Sequence, residues 1–421
     1  MSEFAAVTIT DDKLVSWPRV AAVAAMVGFS LPTFITGLEV SQGLSPMNTL
    51  WALILGSLIV LLIGGVMGAI GAQSRMSSYL LVRIAFGDKG ASLVNIAFAI
   101  SLLGWFGVNI NLFADAVSRL ALDIFGFEIP TLALAIFASI CMTVTTLIGF
   151  KAINILATLM VPVLAFVTFL LAKSALETQS LKEILTAEST QAITIGQGVS
   201  AIVGAIIIGA IILPDITRFV RHWSGAIYTA VIAYLVVQLA VMSAAAMAGA
   251  VSGKTDILDI MLDLNLGIGA FFIVIGSSWV LNSLNLYSAI LGTKATFPKL
   301  NSTGLAIGLG AIGVIAALMN LLDKFIPFLI FLSDIFVPVA GVIIIDALLM
   351  RRKDYHIDTL ADNRAFNMAG LAAWTIGAGF ALMISHGVMP SPTGIASIDA
   401  ILLAAIAYTV LALVARKRST S

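Results

Sequence analysis

The chain has 421 residues, 60% hydrophobic and 10% charged, with a formal net charge of zero and a mean hydropathy of +1.09. A soluble domain carries about 25% charged residues, and a chain this apolar cannot cover its own surface, which excludes an ordinary soluble enzyme. The scattered basic residues leave no footprint for nucleic acid, and the single cysteine, Cys141, excludes an internal disulfide framework or a cysteine-rich metal site.

Twelve apolar segments follow one another, at 17–40, 49–72, 91–116, 130–150, 152–175, 193–213, 226–251, 266–291, 304–320, 325–350, 367–385 and 398–415. Each is read as a membrane-spanning helix, the ninth being the shortest. The fold class expected is an all-α polytopic membrane protein forming one transporter domain. The polar, acidic stretch 1–16 does not read as a cleavable leader. Of the 22 basic residues, only Arg119, Lys173, Lys182, Lys254 and Lys324 fall in the loops of one side. The positive-inside bias therefore puts both termini in the cytoplasm of a cytoplasmic (inner) membrane. The loop 351–364 (RRKDYHIDTLADNR) reads as a solvated basic anchor. Segments 77–86 and 180–185 are too short to span and are expected to lie on the membrane surface.

Transporters built from inverted repeats bind substrate where paired helices lose regular geometry. Span 1 carries Gly28, Pro32 and Gly37; span 6 carries Gly204, Gly209 and Pro214. These are matching positions in a five-plus-five repeat of the leucine-transporter type, 17–175 and 193–350, with 367–415 added as spans 11 and 12. In span 10, Pro338 frees the carbonyl of Asp334, and an intramembrane carboxylate is a candidate functional group. Asp115 and Arg119 have the spacing of an ion pair. Glu39, Asp215 and Asp346 lie at or near span ends, where water can reach them.

Trp105 and Asn109 share a face of span 3, and Asn282 and Asn285 share one of span 8. Asparagine offers donors and acceptors that suit a flat heterocyclic amide, and an aromatic face can stack on it; interhelical glue is the competing reading. No His or Cys has metal-site spacing, and no Walker sequence indicates ATP as driving force. No cofactor is expected.

Four segments carry a family resemblance: SSYLLVRIAFGDKGA at 77–91, GWFGVNINLFA at 104–114, PDITRFVRH at 214–222, and FLSDIFVPVAGVIIIDALLMRRKDYH at 331–356. The chain resembles the nucleobase:cation symporter-1 family and, within it, the bacterial cytosine permeases. The resemblance implies a ligand held between spans 1, 3, 6 and 8. Trp105 would stack on the ring, Asn282 would hydrogen-bond it, and Gly204, Ala205 and Ile206 would close the pocket. Leu102 stands where cytosine permeases have glutamine, and Ala205-Ile206 where they have Ser-Phe. Val280 and Leu281 replace two hydroxyl residues of the sodium-coupled members, and Asp334 replaces a small uncharged residue. The expectation is a secondary importer of a nucleobase or related small heterocycle, coupled to protons rather than sodium, with Asp334 as carrier. A sodium-coupled cytosine permease is the alternative; a non-transporting sensor is the alternative of another class. No feature sets an oligomeric state.

Overall fold

The long apolar runs fold as helices because in hydrocarbon a helix satisfies every backbone group within itself. The computed structural model describes residues 9–187, 191–318, 325–361 and 363–419. Ten of its helices are long and apolar enough to cross a membrane: Pro46–Ser74, Asp88–Asp123, Thr131–Ile148, Phe150–Thr178, Ile195–Thr217, Trp223–Ser252, Gly267–Thr296, Phe325–Met350, Met368–Ser385 and Ala396–Lys417. A bent pair precedes them, Trp17–Gly28 and Leu31–Gly43, meeting at 48°. The apolar helix Ser302–Ala317 is shorter; the end of that expected span lies outside the described residues. In chain order these are spans 1 to 12, the bent pair being span 1 and Ser302–Ala317 span 9.

The packing repeats itself when each span number is advanced by five. Span 1 packs on spans 5 and 7, and span 6 packs on spans 10 and 2. Span 3 packs on span 9, and span 8 on span 4. The pairs 3–8, 2–7 and 4–9 map onto themselves, and all three are in contact. Spans 11 and 12 pack on each other and against span 10.

The breaks fall only partly where glycine and proline suggested. Span 1 opens between Gly28 and Leu31, with Ser30 extended (φ −71°, ψ 149°) and Pro32 in the first turn of the second half. Span 6 remains helical through Gly204 and Gly209 and breaks at Ile212-Leu213, before the short helix Pro214–Thr217. Gly204 is a contact point instead: a Cβ there would run into the carbonyl oxygen of Leu329 in span 10. Span 10 stays helical through Pro338. Next to the carbonyl that Pro338 frees, Trp374 Nε1 of span 11 donates to the Ile335 oxygen at 2.9 Å.

Three expectations about charged and amphipathic groups are corrected. The helix Ser78–Phe86 is buried inside the protein on nearly all sides rather than lying on the membrane; apolar almost all round, it has no polar face to give to water. Arg119 pairs with Asp256 at 2.9 Å rather than with Asp115. Asp346 is fully buried, not solvated: Arg351 Nε (2.9 and 3.2 Å), Arg351 Nη2 (2.6 Å), Tyr355 (2.9 Å) and Tyr408 (2.5 Å) all donate to it. The other short segment forms the helix Leu181–Thr186, closed by a Ser180–Glu183 capping box.

The spans 6–10 contact depends on a missing side chain. Gly204→Ala should cost about 1–3 kcal/mol of stability, read as a lower thermal midpoint in detergent; an unchanged midpoint would mean that the helices part without penalty.

Candidate functional site

Where span 1 opens, three polar groups take over from helical hydrogen bonds. Thr33 Oγ1 donates to the Val27 carbonyl at 2.9 Å, and the hydroxyls of Ser30 and Thr33 share a 2.9 Å hydrogen bond. This opening faces a cavity at the centre of the bundle. Span 1 contributes Ala24, Val27, Ser30, Pro32 and Thr33; span 3 contributes Leu102 and Trp105. Span 6 adds Ala205, Ile206, Gly209 and Asp215, span 7 adds Tyr234, and span 8 adds Leu281, Leu284, Asn285 and Ser288. The void holds about 50 Å³, far below the ~300–1,000 Å³ of ligand sites. A ring-sized ligand must widen it.

The sequence-selected residues separate here. Trp105, Ala205, Ile206, Gly209, Pro32 and Asn285 line the cavity; Asn109, Asn282, Gly204, Gly28, Asp334 and Pro338 do not. Trp105 lies edge-on to Phe325 and Phe328 of span 10, with ring centroids 6.4 and 5.5 Å away. Beyond it a vestibule of about 250 Å³ is lined by Leu31, Asp115, Arg119, Asp256 and Phe325. Asn109 Nδ2 donates to its own helix at the Trp105 carbonyl (2.7 Å), and Asn282 Nδ2 crosses to the Phe106 carbonyl of span 3 (3.1 Å). Both are fully buried, and the Oδ1 of each has no hydrogen-bond partner among the described residues. On span 8 the cavity stripe runs 281, 284/285, 288, the period of one helix face; Asn282 is turned about 100° from Leu281. Gly28 packs against Val237 and Gln238 of span 7.

Sequence reasoning missed Asp215, which it gave to water. The side chain is 1% exposed and borders the cavity. Its Oδ1 accepts from Ser78 N (2.9 Å) and Ser78 Oγ (2.8 Å), and its Oδ2 from Ser288 Oγ (3.0 Å). Ser78 N is an orphan donor at the start of the helix Ser78–Phe86, so a carboxylate from span 6 caps that helix. On the same side, Arg218 donates to Tyr287 (3.2 Å), and Arg75 donates to the Arg218 (3.3 Å), Val220 and Arg221 (3.0 Å) carbonyls. This layer closes the cavity toward the Arg-rich end of the bundle. The signal was Asp-x-x-Arg directly after Pro214, beside a nearly all-apolar nine-residue helix.

Asp334 lies elsewhere, in span 10 against span 11. It is 1% exposed, and neither carboxylate oxygen makes a hydrogen bond of normal geometry among the described residues. Ser385 and His386, at the end of span 11, stand beside it.

A family model described as permease for cytosine/purines, uracil, thiamine, allantoin matches residues 21–411. The cytosine permease of Escherichia coli strain K12 is 28% identical over 390 residues, covering 92% of this chain and 88% of that protein. Among solved structures, Mhp1, a nucleobase-cation-symport-1 family transporter, is similar in a closed conformation with bromovinylhydantoin bound (TM-score 0.79, 18% identity, 95% of this chain and 92% of that one). Its inward-facing conformation is similar too (TM-score 0.80, 16% identity, 98% and 95%). At these identities the structures establish the leucine-transporter fold with inverted repeats.

The two span 8 asparagines should behave differently. Asn285→Ala should weaken binding of a heterocyclic ligand by about 1–3 kcal/mol with little change in thermal midpoint. Asn282→Ala should lower the midpoint first. Binding titrations beside melting curves check this, and the reverse pattern would put Asn282 in the site.

Proposed function

For a chain that belongs to the permease family for cytosine/purines, uracil, thiamine and allantoin, we propose secondary active import of a nucleobase or related small heterocycle across the cytoplasmic membrane. The Arg-rich end faces the cytoplasm, as the positive-inside bias indicates. One observation carries the reading. The Trp105 ring and the Asn285 amide face the same cavity, at the point where span 1 gives up its helical hydrogen bonds. A stacking face and a donor–acceptor pair suit a flat amide ring.

The rest of the wall narrows the ligand. Leu102, Ala205, Ile206 and Leu281 line the cavity and offer no hydrogen bonds, so a ligand with fewer polar edges than cytosine fits better. Leu102→Gln with Ile206→Phe supplies an amide and a second ring face and should raise the preference for cytosine. Competition binding against a panel of heterocycles measures it; no gain would mean that cavity shape, not these side chains, sets the choice.

Import is coupled to protons, with Asp334 as carrier. A buried carboxylate whose oxygens receive no hydrogen bond of normal geometry, with only Ser385 and His386 beside it, is costly to hold ionised and less so protonated. A group of this kind, alternating between dry and wet surroundings, exchanges a proton in each cycle. Sodium coupling is the second reading. Val280 and Leu281 offer no oxygen ligand, but one turn earlier Ser278 Oγ is buried without a hydrogen bond, and hydroxyls suit a hard cation.

Uptake into proteoliposomes separates the two. A proton gradient alone should drive accumulation, and Asp334→Asn should abolish accumulation while ligand binding survives. Sodium-driven accumulation without a proton gradient would overturn the coupling. Concentrative uptake by Asp334→Asn would remove Asp334 from the role.

A further inference from the structure

Spans 10, 11 and 12 meet at the Arg-rich end around a cavity of about 400 Å³, remote from the central site. Arg351, Arg364 and Arg416 line it, together with Asn367 and Tyr408. Among the described residues, Asp346 accepts from Arg351 and Tyr408 of the lining and from Tyr355. Arg364 makes no ion pair among the described residues. Burial holds its guanidinium below the ordinary value, and the positive charge of Arg351 pushes the same way. The lining thus holds three guanidinium groups and no carboxylate among the described residues, and Arg416 also donates to the Met350 carbonyl (3.4 Å).

The other walls are apolar. Met350, Met368, Ala412 and Ala415 complete the lining, and Phe366 beside them is 47% exposed and Met368 69%. These residues are the last of span 10, the first of span 11 and the last of span 12, so the cavity sits at the depth where hydrocarbon gives way to headgroups. A soluble anion would need only the arginines. A ligand that uses both the arginines and the exposed Phe366 and Met368 carries a phosphate and an acyl chain.

We propose that this cavity binds the headgroup of an acidic phospholipid from the leaflet at the Arg-rich end. The phosphate lies against Arg364 and Arg416, and the acyl chains run along spans 11 and 12. A basic pocket between helices at this depth attracts anionic lipid, by about five-fold for each arginine near the surface.

The test uses the full-length protein in nanodiscs of equal parts phosphatidylglycerol and phosphatidylcholine, with retained lipid counted by native mass spectrometry. The wild type should retain phosphatidylglycerol over phosphatidylcholine by about ten-fold or more. Arg364→Ala/Arg416→Ala should bring the ratio close to one. Arg364→Lys should keep most of the preference, and Arg119→Ala, at the opposite end, should leave it unchanged. Equal retention of both lipids by the wild type, or an undiminished preference in the double variant, would overturn the proposal. So would inorganic phosphate stabilising the detergent-solubilised protein as strongly as phosphatidylglycerol does, since the site would then take a soluble anion. If the double variant does not fold, the single variants Arg364→Gln and Arg416→Gln carry the same comparison, and each should lower the ratio several-fold.

Discussion

The nine-residue helix Ser78–Phe86 is buried where no water can satisfy its ends, and the rest of the structure is arranged to do so. A helix leaves donors unpaired at its start and acceptors at its finish. Here Asp215 takes Ser78 N at the start. At the finish, Arg351 donates to the Ile84 carbonyl, Asn367 Nδ2 to the Ala85 carbonyl (2.6 Å) and Asn367 N to the Phe86 carbonyl (2.8 Å). An anion at the amino end and a cation at the carboxyl end are also what the helix dipole favours. The helix therefore fixes the end of span 6 relative to the bases of spans 10 and 11.

That arrangement explains why the cavity is closed on the Arg-rich side by polar groups and on the other by aromatic rings. Toward the vestibule, Trp105 meets Phe325 and Phe328 through ring edges, contacts that re-form at several angles. Toward the Arg-rich end, the seal is a set of directed hydrogen bonds centred on Asp215 and Arg75. The two closures differ in kind: ring-edge contacts tolerate a range of angles, whereas hydrogen bonds are directional.

Much of this was legible in the sequence. The apolar runs give the spans in order, and the Gly28–Pro32 stretch marks the opening of span 1, because proline and serine there cannot continue a helix through hydrocarbon unaided. The phase of a helix was not legible. Asn282 and Asn285 are equally polar, and only packing shows that 285 shares the stripe of 281 and 288 while 282 reaches the Phe106 carbonyl. Nor was the role of Gly204, since a glycine that allows a close approach looks the same in sequence as one that permits a break. Asp215 and Asp346 were placed in water because they sit at or near span ends. Whether such a carboxylate meets water depends on what covers it: Ser78, from a segment expected on the membrane surface, covers Asp215, and Arg351, Tyr355 and Tyr408 cover Asp346.

Three of the four aspartates buried among the described residues differ in one countable respect, the donors each receives. Asp346 is held by an arginine and two tyrosines. Asp215 has three donors from two separate elements. Asp334 has none of normal geometry among the described residues. A carboxylate rich in donors is stabilised as an anion and serves as a fixed joint, because losing its charge would strand every donor around it. A carboxylate with no donors has nothing to strand, so its charge can change without unpicking the fold. Asp334 and Asp346 lie on the same span, and Asp346 is joined through Arg351 to the helix that Asp215 caps. Asp334 thus lies on an element bonded, through Asp346 with Arg351 and through Asp215, to the wall of the central cavity.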